Sequence, residues 1–236
     1  MSPRRGPVLP YSVVAGVTPV RSSWLLVSAK MAGSIFAPEA PRVFDSFGEV
    51  LSESPAYAVV VVNAPIGYVD EPGNERRGCD LEVRALLGRR ASTVHSSPSR
   101  ATLFNVGFEK SESLDAVTKN LLPRYREVAA QVSQYRQRVV YEGHPELSFF
   151  QLNSGSPLRW SKNTQAGLAE RLSLLDKKIP DIARIIEDEL IGAPKKHLLD
   201  AYALLWTARR VFGHAATRVP SAAQWDSEGL RVEMVY

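Results

Sequence analysis

Ala56-Tyr57-Ala58-Val59-Val60-Val61-Val62-Asn63-Ala64-Pro65 is a short, valine-rich apolar run that stops at a turn-forming Asn-Ala-Pro. It carries no polar alternation, so over Ala56–Val62 it reads as a strand buried on both faces, the centre of a sheet. Upstream, Tyr11–Val17 and Trp24–Ala29 are apolar runs separated by the turn residues Pro19–Ser23, the pattern of a β-hairpin. Between hairpin and central strand, Val43, Phe44, Phe47, Val50 and Leu51 recur at helical spacing.

Downstream the periodicity breaks. Residues 66–113 form a long, arginine-bearing insertion, dense in Gly, Pro and Ser, with a short helix over Asp80–Leu87. Insertions of this length in a compact domain carry function or move. Leu114–Gln134 then reads as a helix, Arg138–Glu142 as a strand, His144-Pro145-Glu146 as the opening of a short helix through Leu152, and Thr164–Leu175 and Asp181–Leu190 as two more helices. Leu198–Phe212 is a strongly apolar helix, and Leu230–Val235 a final strand. Alternation of this kind predicts an α/β fold with a mixed sheet. No flexible linker divides the chain, so residues 11–236 are expected to form one domain behind a loose arm at 1–10.

The 236 residues, 44% hydrophobic and 23% charged, suffice for a sizeable core without metal or disulfide staples. The single Cys79 excludes an internal disulfide framework and a cysteine-rich zinc site. No run reaches the roughly 18 apolar residues of a membrane helix, and no signal peptide is read, so a cytoplasmic protein without a membrane partner is expected. The net charge of +4 and pI near 9.2 permit a polyanionic partner without requiring one. Phosphate-loop, Gly-x-Gly-x-x-Gly, His-Glu-x-x-His and Gly-x-Ser-x-Gly motifs are absent.

Three sets of side chains can carry chemistry. Glu142, His144 and Glu146 leave the end of a strand within five residues, where ligands bind in open α/β sheets. Carboxylates there can hold Mg²⁺ or Mn²⁺; the alternative is that Glu146 only complements a helix N-terminus. Asp200, a carboxylate in an apolar helix, needs a metal, an arginine, a hydrogen-bond network or a capping role in the first turn. Arg77, Asp80 and Arg84, with Glu75, Arg76, Arg89 and Arg90 around them, form either a surface ion-pair ladder or a phosphate clamp.

Seven segments together resemble a known family, the predicted nucleases catalogued as domain of unknown function 429. They are Ala15-Gly16-Val17 followed by Trp24, Asn63-Ala64-Pro65-Ile66-Gly67, Arg77-x-x-Asp80-x-x-x-Arg84 and Glu142-x-His144-Pro145-Glu146. Ser161-Lys162-x-Thr164-x-x-Gly167 with Glu170-Arg171, Asp200-Ala201-x-x-x-x-Trp206-Thr207-Ala208, and Asp226-x-x-Gly229-Leu230 follow in order. The resemblance implies a ribonuclease-H-like fold: a mixed five-stranded sheet with helices on both faces, here with a long insertion after the central strand. It further implies acids that hold two divalent ions for hydrolysis of a phosphodiester. In this chain Thr18 and Asn63 stand where the family has aspartates, and His197 replaces an acid expected just before Asp200.

Two functional expectations follow. The first is a Mg²⁺- or Mn²⁺-dependent nuclease or phosphodiesterase with a reduced metal site. In it Glu142 and Asp200 are metal ligands and Glu146 an auxiliary catalytic acid, while Arg77, Arg84, Asp80, His144 and Lys162 contact substrate. The second is a non-catalytic protein of the same fold that binds nucleic acid, a nucleotide or a protein partner through the same cleft. The sequence sets neither the substrate nor the oligomeric state.

Overall fold

The computed structural model describes residues 10–72, 76–104, 114–187 and 192–236. All but the last residue of the expected arm at 1–10, Glu75, residues 105–113 of the insertion and the end of the helix expected over Asp181–Leu190 lie outside the described residues. In chain order the strands are β1 (Ser12–Val20), β2 (Ser23–Ala32), β3 (Ile35–Pro38), β4 (Arg42–Phe44), β5 (Val59–Val62), β6 (Val140–Glu142), β7 (Arg218–Val219) and β8 (Met234–Val235). The helices are α1 (Phe47–Leu51), α2 (Gly78–Leu87), α3 (Arg100–Phe104), α4 (Ala116–Gln131), α5 (Pro145–Leu152), α6 (Gln165–Asp176), α7 (Ile182–Ile186) and α8 (Lys195–Phe212).

The main sheet runs β3-β2-β1-β5-β6, with β4 also paired to β2. β1, β2 and β3 are antiparallel neighbours, whereas β5 and β6 join β1 in parallel. The mixed sheet expected from the sequence is therefore present. β5 is buried throughout, and its side chains divide between two cores. Val59 and Val61 face a core built with α5–α8, and Val60 and Val62 face one built with α1 and α4. A third cluster joins α2, α5, β7 and β8 around Cys79, Leu147 and Met234.

The hairpin turns more tightly than its sequence suggests. Pro19 stays in β1 opposite Trp24, and the turn is Arg21-Ser22, with Arg21 at φ 51°. The helical spacing over 43–53 splits into β4, which extends the sheet, and α1, capped by Ser46 Oγ accepting from Glu49 N at 3.2 Å. The strand expected over Arg138–Glu142 starts only at Val140, because residues 136–138 form a 3₁₀ turn. The final strand shortens to Met234–Val235. The insertion after β5 is more ordered than its composition predicts, with α2, a 3₁₀ segment over 88–93 and α3 among its described residues.

Gly16 fixes how α8 lies on the sheet. A Cβ there would sit 2.2 Å from Leu205 N and 2.3 Å from Ala201 O, so the helix backbone rests where any side chain would be. α8 begins at Lys195, three residues earlier than its apolar pattern, which places Asp200 in the second turn. The expected first-turn capping role therefore does not apply to Asp200.

Candidate functional site

The C-terminal ends of the three parallel strands converge. Thr18 comes from β1, Asn63 from the turn after β5, and Glu142 and His144 from the end of β6. With Glu146 of α5, Asp200 and His197 of α8, Lys162 from the loop before α6 and Arg90, Thr93 and His95 from the insertion, they line a cleft of about 530 Å³. Parallel strand ends are where open α/β sheets bind ligands.

Thr18 and Asn63 form a neutral pair: Asn63 Nδ2 donates to Thr18 Oγ1 at 3.1 Å. Each acid in the cleft is instead paired with a cation. Glu142 is buried, and Arg77 Nη1 donates to its Oε2 at 3.0 Å while Nη2 donates to Oε1. The same guanidinium grips Asp80 through Nε at 3.2 Å and Nη2 at 2.9 Å, and the Gly67 carbonyl through Nη1 at 3.0 Å. Glu142 Oε2 also accepts from Ile66 N at 2.6 Å. Burial pushes the Glu142 carboxyl up to about 7, against the pull of Arg77. Cys79 Sγ, Asp80 and Glu142 place ligand atoms within 4.8 Å of one another. Arg77 Nη2, 3.1 Å from that sulfur, already supplies the positive charge there, and burial raises the Cys79 thiol far above its ordinary range.

Glu146 Oε1 accepts from Arg171 Nη2 and from Arg90 Nη2 at 3.4 Å. Burial opposes its ionisation, but Arg171 and Arg90 outweigh that effect and hold the carboxyl below its usual range. Arg171 is fully buried and also donates through Nη1 to the carbonyls of Trp160 at 3.1 Å and Gly167 at 2.9 Å. Lys162 Nζ donates to Asp200 Oδ2 at 2.6 Å. His144 Nε2 lies 3.2 Å from the Thr93 carbonyl, which can only accept. Nε2 therefore carries the proton and Nδ1 a lone pair. Burial holds both His144 and His197 below the ordinary imidazole range. On the residues lining the cleft, the acceptors Glu146 Oε2, Asp200 Oδ1 and His144 Nδ1 and the donor Arg90 Nε are buried without a hydrogen-bond partner.

Of the residues singled out from sequence, Asp80, Glu142, His144, Glu146, Lys162 and Asp200 line one cleft. Arg77 and Arg84 do not. Arg77 lies buried behind the acids, and Arg84 turns to the Val94 carbonyl. The surface ladder is thus replaced by a buried Arg77–Asp80–Glu142 triad. Arg171, Thr93 and Asn163 belong to the site although no role was read for them. Arg171 and Thr93 act through partners distant in the chain, which local spacing does not reveal.

A mixed sheet with a polar cleft at its parallel strand ends, walled by an inserted segment and a long terminal helix, defines the class. The family model "Protein of unknown function (DUF429)" matches residues 16–224, and the chain belongs to that family. No curated protein matches the chain, and no solved structure matches it. No helix among the described residues is long and apolar enough to cross a membrane.

Proposed function

We propose that this chain is a ribonuclease-H-like protein whose cleft binds nucleic acid or a nucleotide without metal-dependent hydrolysis. The sheet order, with two parallel strands beside an antiparallel meander and helices against both faces, supports that fold. The observation that carries the binding reading is internal charge compensation: Asp80 and Glu142 pair with Arg77, Glu146 with Arg171 and Arg90, Asp200 with Lys162.

Mg²⁺ and Mn²⁺ are held by several oxygen ligands, anionic ones foremost. Thr18 and Asn63 offer a neutral hydroxyl and amide already bonded to each other, and both Glu142 oxygens are engaged by a guanidinium. This donor set does not fit a two-ion centre. Lys162, with its side chain one-third exposed, and Arg90 are the cations that face the cleft and can meet phosphate oxygens.

The metal-dependent nuclease reading keeps one observation in its favour, the unpartnered oxygens of Glu146 and Asp200. One experiment separates the two. Labelled single- and double-stranded oligonucleotides and free nucleotides are titrated into purified protein at increasing salt, then incubated with Mn²⁺. The binding reading expects affinity that falls with salt as phosphate contacts release counterions, with no cleavage product. Mn²⁺-dependent cleavage that Asp200→Asn abolishes would overturn it.

A further inference from the structure

Three acceptors in the cleft have no donor: Glu146 Oε2, Asp200 Oδ1 and His144 Nδ1. Buried polar atoms are nearly always satisfied, and an unsatisfied one costs free energy. Three such acceptors on residues lining one cleft, on α5, on α8 and at the strand end between β6 and α5, together with the unpartnered donor Arg90 Nε, call for a ligand that brings donors to the acceptors and an acceptor to Arg90. Glu146 and Asp200 are 3% and 1% exposed, so bulk solvent does not serve them. In each carboxylate a cation holds one oxygen and leaves the other without a donor, and both residues line the cleft.

The charge on these acids decides what kind of donor suits them. Glu146 already faces two guanidinium groups and Asp200 an ammonium. A cationic ligand would add positive charge to acids that are already compensated, whereas neutral hydroxyls satisfy the acceptors and leave the balance intact. An O–H donated to a carboxylate is among the stronger hydrogen bonds. A vicinal diol presents two of them, and the neutral His144 Nδ1 accepts a third donor. Lys162 and Arg90 line the same cleft, whose 530 Å³ falls in the range of small-molecule sites.

Resting on the binding reading above, we infer that the cleft takes a phosphorylated sugar with a free vicinal diol, that is, a terminal ribose. The diol donates to Asp200 and Glu146, and Lys162 and Arg90 meet the phosphate. Such a group is present in a free ribonucleotide and at the 3′ end of an RNA strand, and absent from deoxyribose.

Calorimetric titration tests this on the full chain with ribose 5-phosphate, 2-deoxyribose 5-phosphate, adenosine 5′-monophosphate, its 2′-deoxy analogue and inorganic phosphate. An RNA octamer, with and without a 3′-terminal phosphate, is added to the set. The expected result is binding of each ribose probe at least tenfold tighter than its deoxy partner, the loss of one hydrogen bond to a charged acceptor. Asp200→Asn narrows that gap, and the wild-type comparison stands even where this variant fails to fold. Tighter binding of the mononucleotide assigns the site to free nucleotides. Tighter binding of the octamer, abolished by the 3′ phosphate, assigns it to strand ends. Equal affinity for ribose and deoxyribose probes would overturn the sugar inference and leave the binding reading intact. Binding of none of the probes, or stabilisation of the protein by Mn²⁺ alone, would overturn both.

Discussion

Replacing Arg77 by methionine isolates what holds the strand end together. The guanidinium makes five hydrogen bonds to oxygen, two to Glu142, two to Asp80 and one to the Gly67 carbonyl, with almost no exposure. Methionine fills similar volume but leaves two buried carboxylates facing each other, and breaking a buried pair on one side costs about 3–5 kcal/mol. The cost must depend on pH. Glu142 has a folded-state value raised from 4.5 to about 7. Its contribution is therefore fully present below 4.5 and is lost as pH rises through 7. Without Arg77 that value rises further, because the cation that favours the charged form is gone. The variant should already be destabilised near pH 5, where Glu142 takes a proton but Asp80 and the Gly67 carbonyl have lost their donor, and should lose about a further 1.4 kcal/mol relative to wild type by pH 8, one pH unit above the wild-type Glu142 value. Urea unfolding at pH 5, 6.5 and 8, followed by the fluorescence of buried Trp24, measures this. Adding Glu142→Gln to the variant should restore part of the loss at pH 8, since no charged Glu142 remains. A loss below about 1 kcal/mol at pH 8, or one equal at all three pH values, would refute the triad as the fastening of this site.

Glu142→Gln alone should flatten the pH dependence: relative to the variant, wild type loses about 3 kcal/mol between pH 4.5 and the upper side of pH 7. The difference between the two unfolding curves reads it, and a constant difference would mean Glu142 does not titrate there. Gly16→Ala places a methyl inside the α8 backbone and should cost about 3 kcal/mol or more, at the top of the overpacking range; a thermal melt within 2 °C of wild type, far less than such a loss implies, contradicts the packing. The double variant Thr18→Asp, Asn63→Asp puts two carboxylates where atoms now lie 3.1 Å apart. It should gain Mn²⁺-dependent thermal stabilisation absent from wild type, and indifference of the double variant to Mn²⁺ would show that more than these two residues separates the cleft from an ion site.

The fold was legible where one physical pattern dominated. The four consecutive valines of β5 could be stable only between two layers, and they separate two cores as their sequence suggests. β3 and β4 were not legible, because strands of four and three residues carry too little periodicity, and their placement depends on pairing with β2. At the cleft, the Glu142–Glu146 cluster and Asp200 were found because acids at a strand end and in an apolar helix are conspicuous. Their neutralisation was hidden. Arg171 sits 25 residues from Glu146, Lys162 lies 38 from Asp200 and Arg77 is 65 from Glu142. Arg77 itself looked like a surface residue, since its neighbours are polar and only the tertiary fold buries it.

Arg171 joins three pieces of the chain that nothing in the local sequence connects. One rigid, planar group holds the Trp160 carbonyl ahead of Lys162, the Gly167 carbonyl in α6 and the carboxylate of α5. The loop that leads into Lys162 and the helix that carries Glu146 are thereby located by one shared side chain.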